Sequence, residues 1–91
     1  MIHFKDDDTK ALHDGQRVNR WVNIERVASR KLTSLAAAAA ISFLIKPPGN
    51  QLKALKGDRI GQHSIRINDQ WRICFKWSSS NVTDVEIVDY H

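Results

Sequence analysis

Residues Gln62–Trp77 read QHSIRINDQWRICFKW, and apolar side chains recur at every second position over much of this stretch. Such alternation is typical of β-strands that pack one face against a core. It predicts two strands, Gln62–Asn68 and Trp71–Trp77, joined by a tight hairpin at Asn68-Asp69. The side chains expected to face the core are His63, Ile65, Ile67, Trp71, Ile73, Phe75 and Trp77.

The opposite face of this hairpin is expected to carry Arg66, Arg72 and Lys76. Residues 53–76 contain six basic residues against two acidic ones, whereas residues 77–91 contain three acidic residues and no Lys or Arg. The whole 91-residue chain has a formal net charge of +4. A basic balance of this kind favours an anionic partner without identifying it.

Two helices are predicted upstream of the hairpin. Asp7 or Asp8 is expected to cap a short helix over Thr9–His13, because a carboxylate accepts the free amide hydrogens of a first turn. Asn23 is expected to cap a longer helix from Ile24 to Ala40, in which apolar residues recur at three- and four-residue steps.

Basic residues of the longer helix lie largely off its apolar stripe. They are Arg26, Arg30 and Lys31. A solvated helix face is the commoner explanation, and contact with RNA or a partner is the alternative. A further helical turn is predicted at Ser42–Lys46. Trp21, in the loop before the longer helix, is expected in the core.

Three further strands complete the predicted sheet. Ile2–Phe4 would form a short edge strand, Gln51–Leu55 would precede the hairpin, and Val82–His91 would follow it. Val88 breaks the alternation of the last strand. The order β-α-α-β-β-β-β predicts a single α+β domain over residues 1–91, with two N-terminal helices on one face of a small antiparallel β-sheet.

Several functional classes find no support in the sequence. The single cysteine, Cys74, allows no internal disulfide, suits a reducing cytoplasm, and is expected to be buried. The first residues lack the apolar stretch of a signal peptide. The four histidines have neither the spacing nor the companions of metal ligands. Glycine loops of phosphate-binding type and nucleophile elbows are also absent.

The last residues, Asp89-Tyr90-His91, could hold or transfer protons. Cleavage of RNA needs a base to activate a 2′-OH, cations to stabilise the charge developing on phosphate, and an acid for the leaving 5′-oxygen. A frayed chain end is the commoner explanation of such a triplet when only its position is considered.

Three blocks closely resemble the HigB toxins of the RelE superfamily: Leu55–Arg59 (LKGDR), Gly61–Phe75 (GQHSIRINDQWRICF) and Val85–His91 (VEIVDYH). Shorter matches at MIHF, RW, RKL and PPGN extend the resemblance over nearly the whole chain. It implies the RelE-like fold and a toxin of a type II toxin–antitoxin system, acting as a ribosome-dependent endoribonuclease. The implied reaction, attack by the 2′-OH, gives a 2′,3′-cyclic phosphate and a 5′-OH with no metal or cofactor.

The same resemblance implies partners and site residues. The implied partners are a HigA-type helix-turn-helix antitoxin, mRNA in the decoding site of the ribosome, and operator DNA only through the antitoxin complex. No membrane is involved, and the free toxin is expected to be a monomer. The implied catalytic residues are Arg72, Asp89, Tyr90 and His91. The implied RNA-binding residues are Lys53, Lys56, Arg59 and Arg66.

One position departs from the family pattern. Other members carry a histidine where this chain has Lys53. A lysine cannot simply replace a proton-transferring histidine, because it is ordinarily protonated at neutral pH. More of the acid–base work would then fall to Tyr90 or His91. Two rival hypotheses are a gyrase-inhibiting toxin of the ParE type and a non-catalytic RNA- or DNA-binding module.

Overall fold

The computed structural model describes residues 2–46, 48–79 and 81–89. Within these ranges five strands form one sheet: β1 (Ile2–Phe4), β2 (Lys53–Ala54), β3 (Gln62–Arg66), β4 (Trp71–Ser78) and β5 (Asn81–Asp89). Their order in the sheet is β1-β5-β4-β3-β2. β1 runs parallel to β5, and the other neighbouring pairs are antiparallel. The predicted α+β order and the edge position of the first strand are confirmed. The two α-helices in these ranges are α1 (Asp7–His13) and α2 (Glu25–Ala37).

The core lies between the two helices and one face of the sheet. Trp21, in a 3₁₀ turn over Asn19–Ile24, is 1% exposed and meets Trp71 edge-on, with 6.3 Å between ring centroids. Burial of one large apolar side chain contributes about 1.5–3 kcal/mol. Phe75 is fully buried as well, so the core positions predicted for Trp21 and Phe75 are confirmed. Among the residues described, no helix is long and apolar enough to cross a membrane.

Helix α1 begins earlier than the sequence predicts. Its cap is Asp6, whose carboxylate accepts the backbone N–H of Thr9 at 2.6 Å, so the assignment to Asp7 or Asp8 is wrong. The buried Thr9 hydroxyl in turn accepts the backbone N–H of Ile87 at 3.3 Å. A cap at Asp6 thus fixes α1 in the position from which Thr9 contacts β5.

Helix α2 is shorter than predicted, and Asn23 makes no capping hydrogen bond. The chain turns extended at Ala38 (φ −68°, ψ 123°) although alanine is the best helix former. Ala38 then packs on the core, and a 3₁₀ turn over Ile41–Leu44 brings Leu44 to 1% exposure. Burial of Leu44 therefore outweighs the local helix propensity of the alanine run. The helical turn predicted at Ser42–Lys46 is therefore a 3₁₀ turn that begins one residue earlier and ends two residues earlier.

Two predicted strands are shorter than expected for local reasons. β2 covers only Lys53–Ala54, because Gln51 adopts a positive φ of 44° that an extended strand does not allow. β3 ends at Arg66 because the Asn68 side chain accepts the backbone N–H groups of Gln70 and Trp71. The hairpin predicted at Asn68-Asp69 is confirmed.

A β-bulge interrupts the last strand before Val88, and Val88 lies on the face opposite the core, where it pairs with Arg72. Register shifts between Cys74 and Lys76 on β4, and Asp84 opposite this shift has a φ of 53°. The extra residue lets both Val82 and Val85 point into the core, three positions apart. The inward positions predicted for Val85 and Ile87 are confirmed, and residues 90 and 91 lie outside the described ranges.

Candidate functional site

The sheet face opposite the helices gathers most of the predicted basic residues. Strand pairing aligns Lys53, Ser64, Cys74 and Glu86 in one row across β2, β3, β4 and β5. The next row contains Arg66, Arg72 and Val88. Directly opposed residues of neighbouring strands share a face. Lys53, Arg66 and Arg72 therefore lie on one side of the sheet, called here the basic face.

Arg72 is the most constrained residue of the basic face. Its Nε donates to the Ser64 hydroxyl at 2.8 Å, and its Nη2 donates to the backbone carbonyls of Gln51 at 2.5 Å and Ser64 at 3.3 Å. Only 5% of Arg72 is exposed. The face predicted for Arg72 is confirmed, and the segment containing Gln51 covers the side chain there. Hydrogen bonds from a charged donor of this kind hold the guanidinium in one orientation.

Ser64 and Gln51 were not recognised from the sequence as parts of the site. The alternation did place Ser64 on the same side as Arg72, and that was the available signal. Nothing in the sequence indicated the role of the Gln51 carbonyl. Its direction depends on a positive φ in a segment whose sequence predicts a strand.

Arg59 lies over the neighbouring row of the basic face. Its Nη1 donates to Glu86 Oε2 at 3.0 Å and to Gln62 Oε1 at 3.1 Å. Lys5 approaches the same Glu86 oxygen at 3.2 Å. Glu86 therefore anchors two cations, a role that its place in an alternating strand did not indicate.

Lys53 and Lys56 carry the charge that is most available to a ligand. Both are exposed, and neither forms an ion pair within the described ranges, whereas Arg66 pairs with Asp69. Lys56 stands immediately before a 3₁₀ turn over Gly57–Arg59. An unneutralised ammonium group at the surface is suited to contact phosphate.

The side chain of Asp89 does not lie on the basic face. It pairs with Trp71 in the β4–β5 register, so its side chain leaves the sheet on the side of the helices. Gln70 Nε2 donates to Asp89 Oδ2 at 3.1 Å. Arg72 and Asp89 thus lie at the same end of the sheet but project from opposite faces. The other two predicted catalytic residues, Tyr90 and His91, lie outside the described residues.

Cys74 is buried beneath the basic face, as predicted. Burial raises the pKa of its thiol above the ordinary value, and nearby Arg59 opposes this effect. A thiol with a raised pKa and no solvent exposure is a poor nucleophile. No group of three or more His, Cys, Asp or Glu side chains that could hold a metal ion occurs among the residues described.

Solved structures with the same fold are toxins of toxin–antitoxin systems. YoeB from Staphylococcus aureus, in a heterotetrameric YoeB–YefM toxin–antitoxin complex, matches with a TM-score of 0.65 and 15% identity over 100% of this chain and 95% of that chain. A YoeB/ParE toxin from Agrobacterium tumefaciens matches with a TM-score of 0.60 and 16% identity over 99% of this chain and 98% of that chain. The architecture is therefore the RelE-like α+β fold.

Sequence comparison assigns the family within this class. The model of the HigB-like toxins, RelE-like toxins of type II toxin–antitoxin systems, matches residues 2–91. Toxin HigB-1 of Vibrio cholerae is 38% identical over 78 residues, which cover 84% of this chain and 82% of that protein. An uncharacterised protein of Haemophilus influenzae is 29% identical over 85 residues, covering 91% and 84%. This chain belongs to the HigB-like family of type II toxins.

Proposed function

We propose that this toxin is a ribosome-dependent endoribonuclease that cuts mRNA in the decoding site and thereby inhibits translation. The observation that carries the proposal is the strand register that places Lys53, Arg66 and Arg72 on one face. A surface of this kind can hold an RNA backbone, and Arg72 is already oriented by Ser64 and Gln51. Membership of the HigB-like family supports the nuclease assignment over a simple binding role.

The proposed reaction is an internal transesterification. A base removes the proton of the 2′-OH, the 2′-oxygen forms a bond to the adjacent phosphorus, and the bond from phosphorus to the 5′-oxygen breaks. An acid protonates the leaving 5′-oxygen, which gives a 2′,3′-cyclic phosphate and a 5′-OH. Tyr90 and His91 supply the proton transfers, each worth about 10²–10⁴-fold in rate. Asp89, whose side chain leaves the sheet on the face opposite to Arg72, assists them from the end of β5. Arg72 stabilises the negative charge that builds up on the phosphate oxygens.

The remaining basic residues bind the RNA backbone. Lys53 and Lys56 present exposed charge, whereas Arg59 and Arg66 contribute through groups that also contact Glu86 and Asp69. Lys53 acts by its charge in place of the histidine of related toxins. Proton transfer is therefore concentrated on the residues at the end of β5.

The proposed partners follow from the same assignment. A HigA-type antitoxin with a helix-turn-helix domain neutralises the toxin in the cytoplasm, and the complex rather than the toxin alone binds operator DNA. Complexes of YoeB with YefM support a partner of the antitoxin class.

Induced expression in bacteria, followed by growth and mRNA integrity, tests the proposal. Wild-type protein should arrest growth and fragment mRNA. Arg72→Ala and His91→Ala should relieve both effects, whereas Arg26→Ala, which removes an exposed arginine from α2, should not. Growth arrest with intact mRNA and inhibited gyrase supercoiling would instead assign a ParE-type activity. Normal growth under wild-type expression would contradict the toxin activity itself.

A further inference from the structure

A cavity of about 450 Å³ lies between α2 and the segment that follows it. Arg30, Lys31 and Lys46 line it, together with Phe43, whose side chain is 62% exposed. Small residues such as Ala37 and Gly49 leave its mouth open. The volume lies within the range of cavities that hold small ligands. Neither the growth-arrest activity nor the proposed cleavage residues account for this combination of cations and an exposed aromatic ring.

No carboxylate among the described lining residues balances the positive charge of the cavity. The described lining residues include no Asp or Glu, and Arg30, Lys31 and Lys46 form no ion pair within the described part of the chain. Cations that converge on one concave surface without a carboxylate are suited to an anionic ligand.

Lys31 is the strongest indication of such a ligand. It is 9% exposed, and its Nζ donates to the backbone carbonyl of Arg66 at 2.5 Å. Burial, followed by the charges of Arg30, Arg66 and Arg72, lowers the pKa of its ammonium group. A buried ammonium among like charges is costly unless an anion accompanies it. The solvated-face interpretation of this helix, which fits exposed Arg26, is therefore wrong at Lys31.

Two contacts link the lining of the cavity to residues of the basic face. Lys31 contacts the backbone of Arg66, which pairs with Arg72 across β3 and β4. Asn50 lines the cavity, and the next residue, Gln51, accepts the hydrogen bond from Arg72. The segment around Asn50 and Gln51 therefore separates the cavity from Arg72 by a short distance along the chain, so an RNA strand on the basic face needs to pass only this segment to reach the cavity.

We propose that this cavity binds one nucleotide of single-stranded RNA next to the segment held at Arg72. Its phosphate contacts Arg30, Lys31 and Lys46, and its base stacks on Phe43. This inference rests on the proposed function, since it extends the path of the same RNA. A basic groove with an aromatic platform is the common design of single-strand binding. An acidic peptide is the rival occupant, but the contacts that link the cavity lining to the basic face favour RNA.

Titration of the isotope-labelled full chain with a 2′-O-methyl RNA hexamer, followed by NMR, tests the proposal. The 2′-O-methyl groups prevent cleavage, so binding is measured apart from chemistry. Amides in residues 37–46 should shift. Phe43→Ala should weaken binding by about 5- to 140-fold, because stacking of one base is worth about 1–3 kcal/mol by alanine substitution. Phe43→Trp should restore it.

Salt dependence separates the phosphate contacts from the base contact. Arg30→Ala should lower the slope of log affinity against log salt by about 0.7, the value expected for one phosphate contact on a single strand. Arg26→Ala removes the same charge from the same helix outside the cavity and should leave the slope unchanged. Phe43→Ala should weaken binding at an unchanged slope. Phe43 and Arg30 are exposed, so these variants spare the core.

Parallel titrations with inorganic phosphate and with a synthetic peptide of alternating Glu and Leu complete the test. Equal hexamer affinity in wild-type, Phe43→Ala and Arg30→Ala protein would overturn the proposal. It would also be overturned if the cavity amides shifted with inorganic phosphate but not with the hexamer, or if the cavity bound the peptide more tightly than the hexamer. Ribosomal cleavage with unaltered hexamer binding in the variants would refute only this site. Hexamer binding through Phe43 without any cleavage would refute only the nuclease.

Discussion

Arg72 combines deep burial with a fixed hydrogen-bond pattern, and both properties bear on catalysis. A guanidinium held by Ser64 and by the carbonyl of Gln51 does not have to be reorganised as charge develops on phosphate. Lysine could not reproduce this arrangement, because it lacks the planar fork of donors. The orientation of Arg72 therefore depends on neighbours that are not among the residues proposed to bind RNA.

Replacement of Ser64 tests this dependence at the level of one hydroxyl. Ser64→Ala removes the acceptor of Arg72 Nε, and a hydrogen bond to a charged group contributes about 1.5–3 kcal/mol. We expect ribosome-dependent cleavage to fall by about 10-fold or more in kcat with little change in KM. Ser78→Ala, at an exposed position on β4, is the matched control. An unchanged kcat in Ser64→Ala would show that Arg72 is oriented by other contacts.

Cys74 provides a prediction about pH. Burial raises the folded-state pKa of its thiol, so the unfolded chain loses this proton first as pH rises. Stability is therefore fully present below about pH 8.5, the ordinary pKa of a thiol, and declines above it. Urea denaturation from pH 7 to 10 should show a shallower decline for Cys74→Ala than for wild type. Identical pH profiles would mean that the folded thiol ionises normally.

At the scale of elements, the caps and ends of helices differ most from expectation. The sequence predicts Asp7 or Asp8 as the cap of α1, whereas the docking of Thr9 onto β5 selects the neighbouring Asp6. The alanine run after Leu35 predicts a longer helix, but burial of Leu44 ends it at Ala37. In both places long-range packing decides between options that are nearly equal in local energy.

The cap can be tested by comparing two adjacent aspartates. Asp6→Ala should lower the free energy of unfolding by about 0.5–2 kcal/mol, because it leaves the Thr9 N–H without its acceptor. Asp7→Ala removes a charge from the same turn without removing the cap, so its effect should be clearly smaller. Urea denaturation at neutral pH measures both. Equal losses would indicate that charge near the helix end matters more than the cap.

For the whole molecule, the periodicity of residues 62–77 was sufficient to predict the sheet, its hairpin and the side that carries Arg66 and Arg72. It could not predict that residues after α2 fold back over that side and bury Arg72, because this depends on a positive φ at Gln51. Lys53, Arg59 and Arg66 were recognised from the resemblance, whereas Ser64 and Glu86 became evident only through their contacts, and the burial of Lys31 was not expected from its place off the apolar stripe. The cavity beside Phe43 had no signal in sequence periodicity.

The free toxin is predicted to be a monomer. Large hydrophobic side chains are exposed at Val22, Phe43, Ile45 and Ile60. Two copies meeting symmetrically at Phe43 would oppose Arg30 and Lys46 to the same residues of the other copy, which is unfavourable. Sedimentation equilibrium should give the chain mass of 10.4 kDa at low and high concentration. A concentration-dependent dimer that disappears in Phe43→Ala would contradict this prediction.

Cleavage of mRNA on purified ribosomes with a filled P site and an empty decoding site is the most direct measurement of the proposed activity. Wild-type protein should cut within the decoding-site codon, leave a 2′,3′-cyclic phosphate and a 5′-OH, and cut the same mRNA only weakly without ribosomes. Arg72→Ala, verified as folded by circular dichroism, should be slower by about 10²–10³-fold, as for loss of one charge-stabilising donor. Absence of ribosome-dependent cleavage by the wild-type protein, or full activity of Arg72→Ala, would contradict the proposed mechanism.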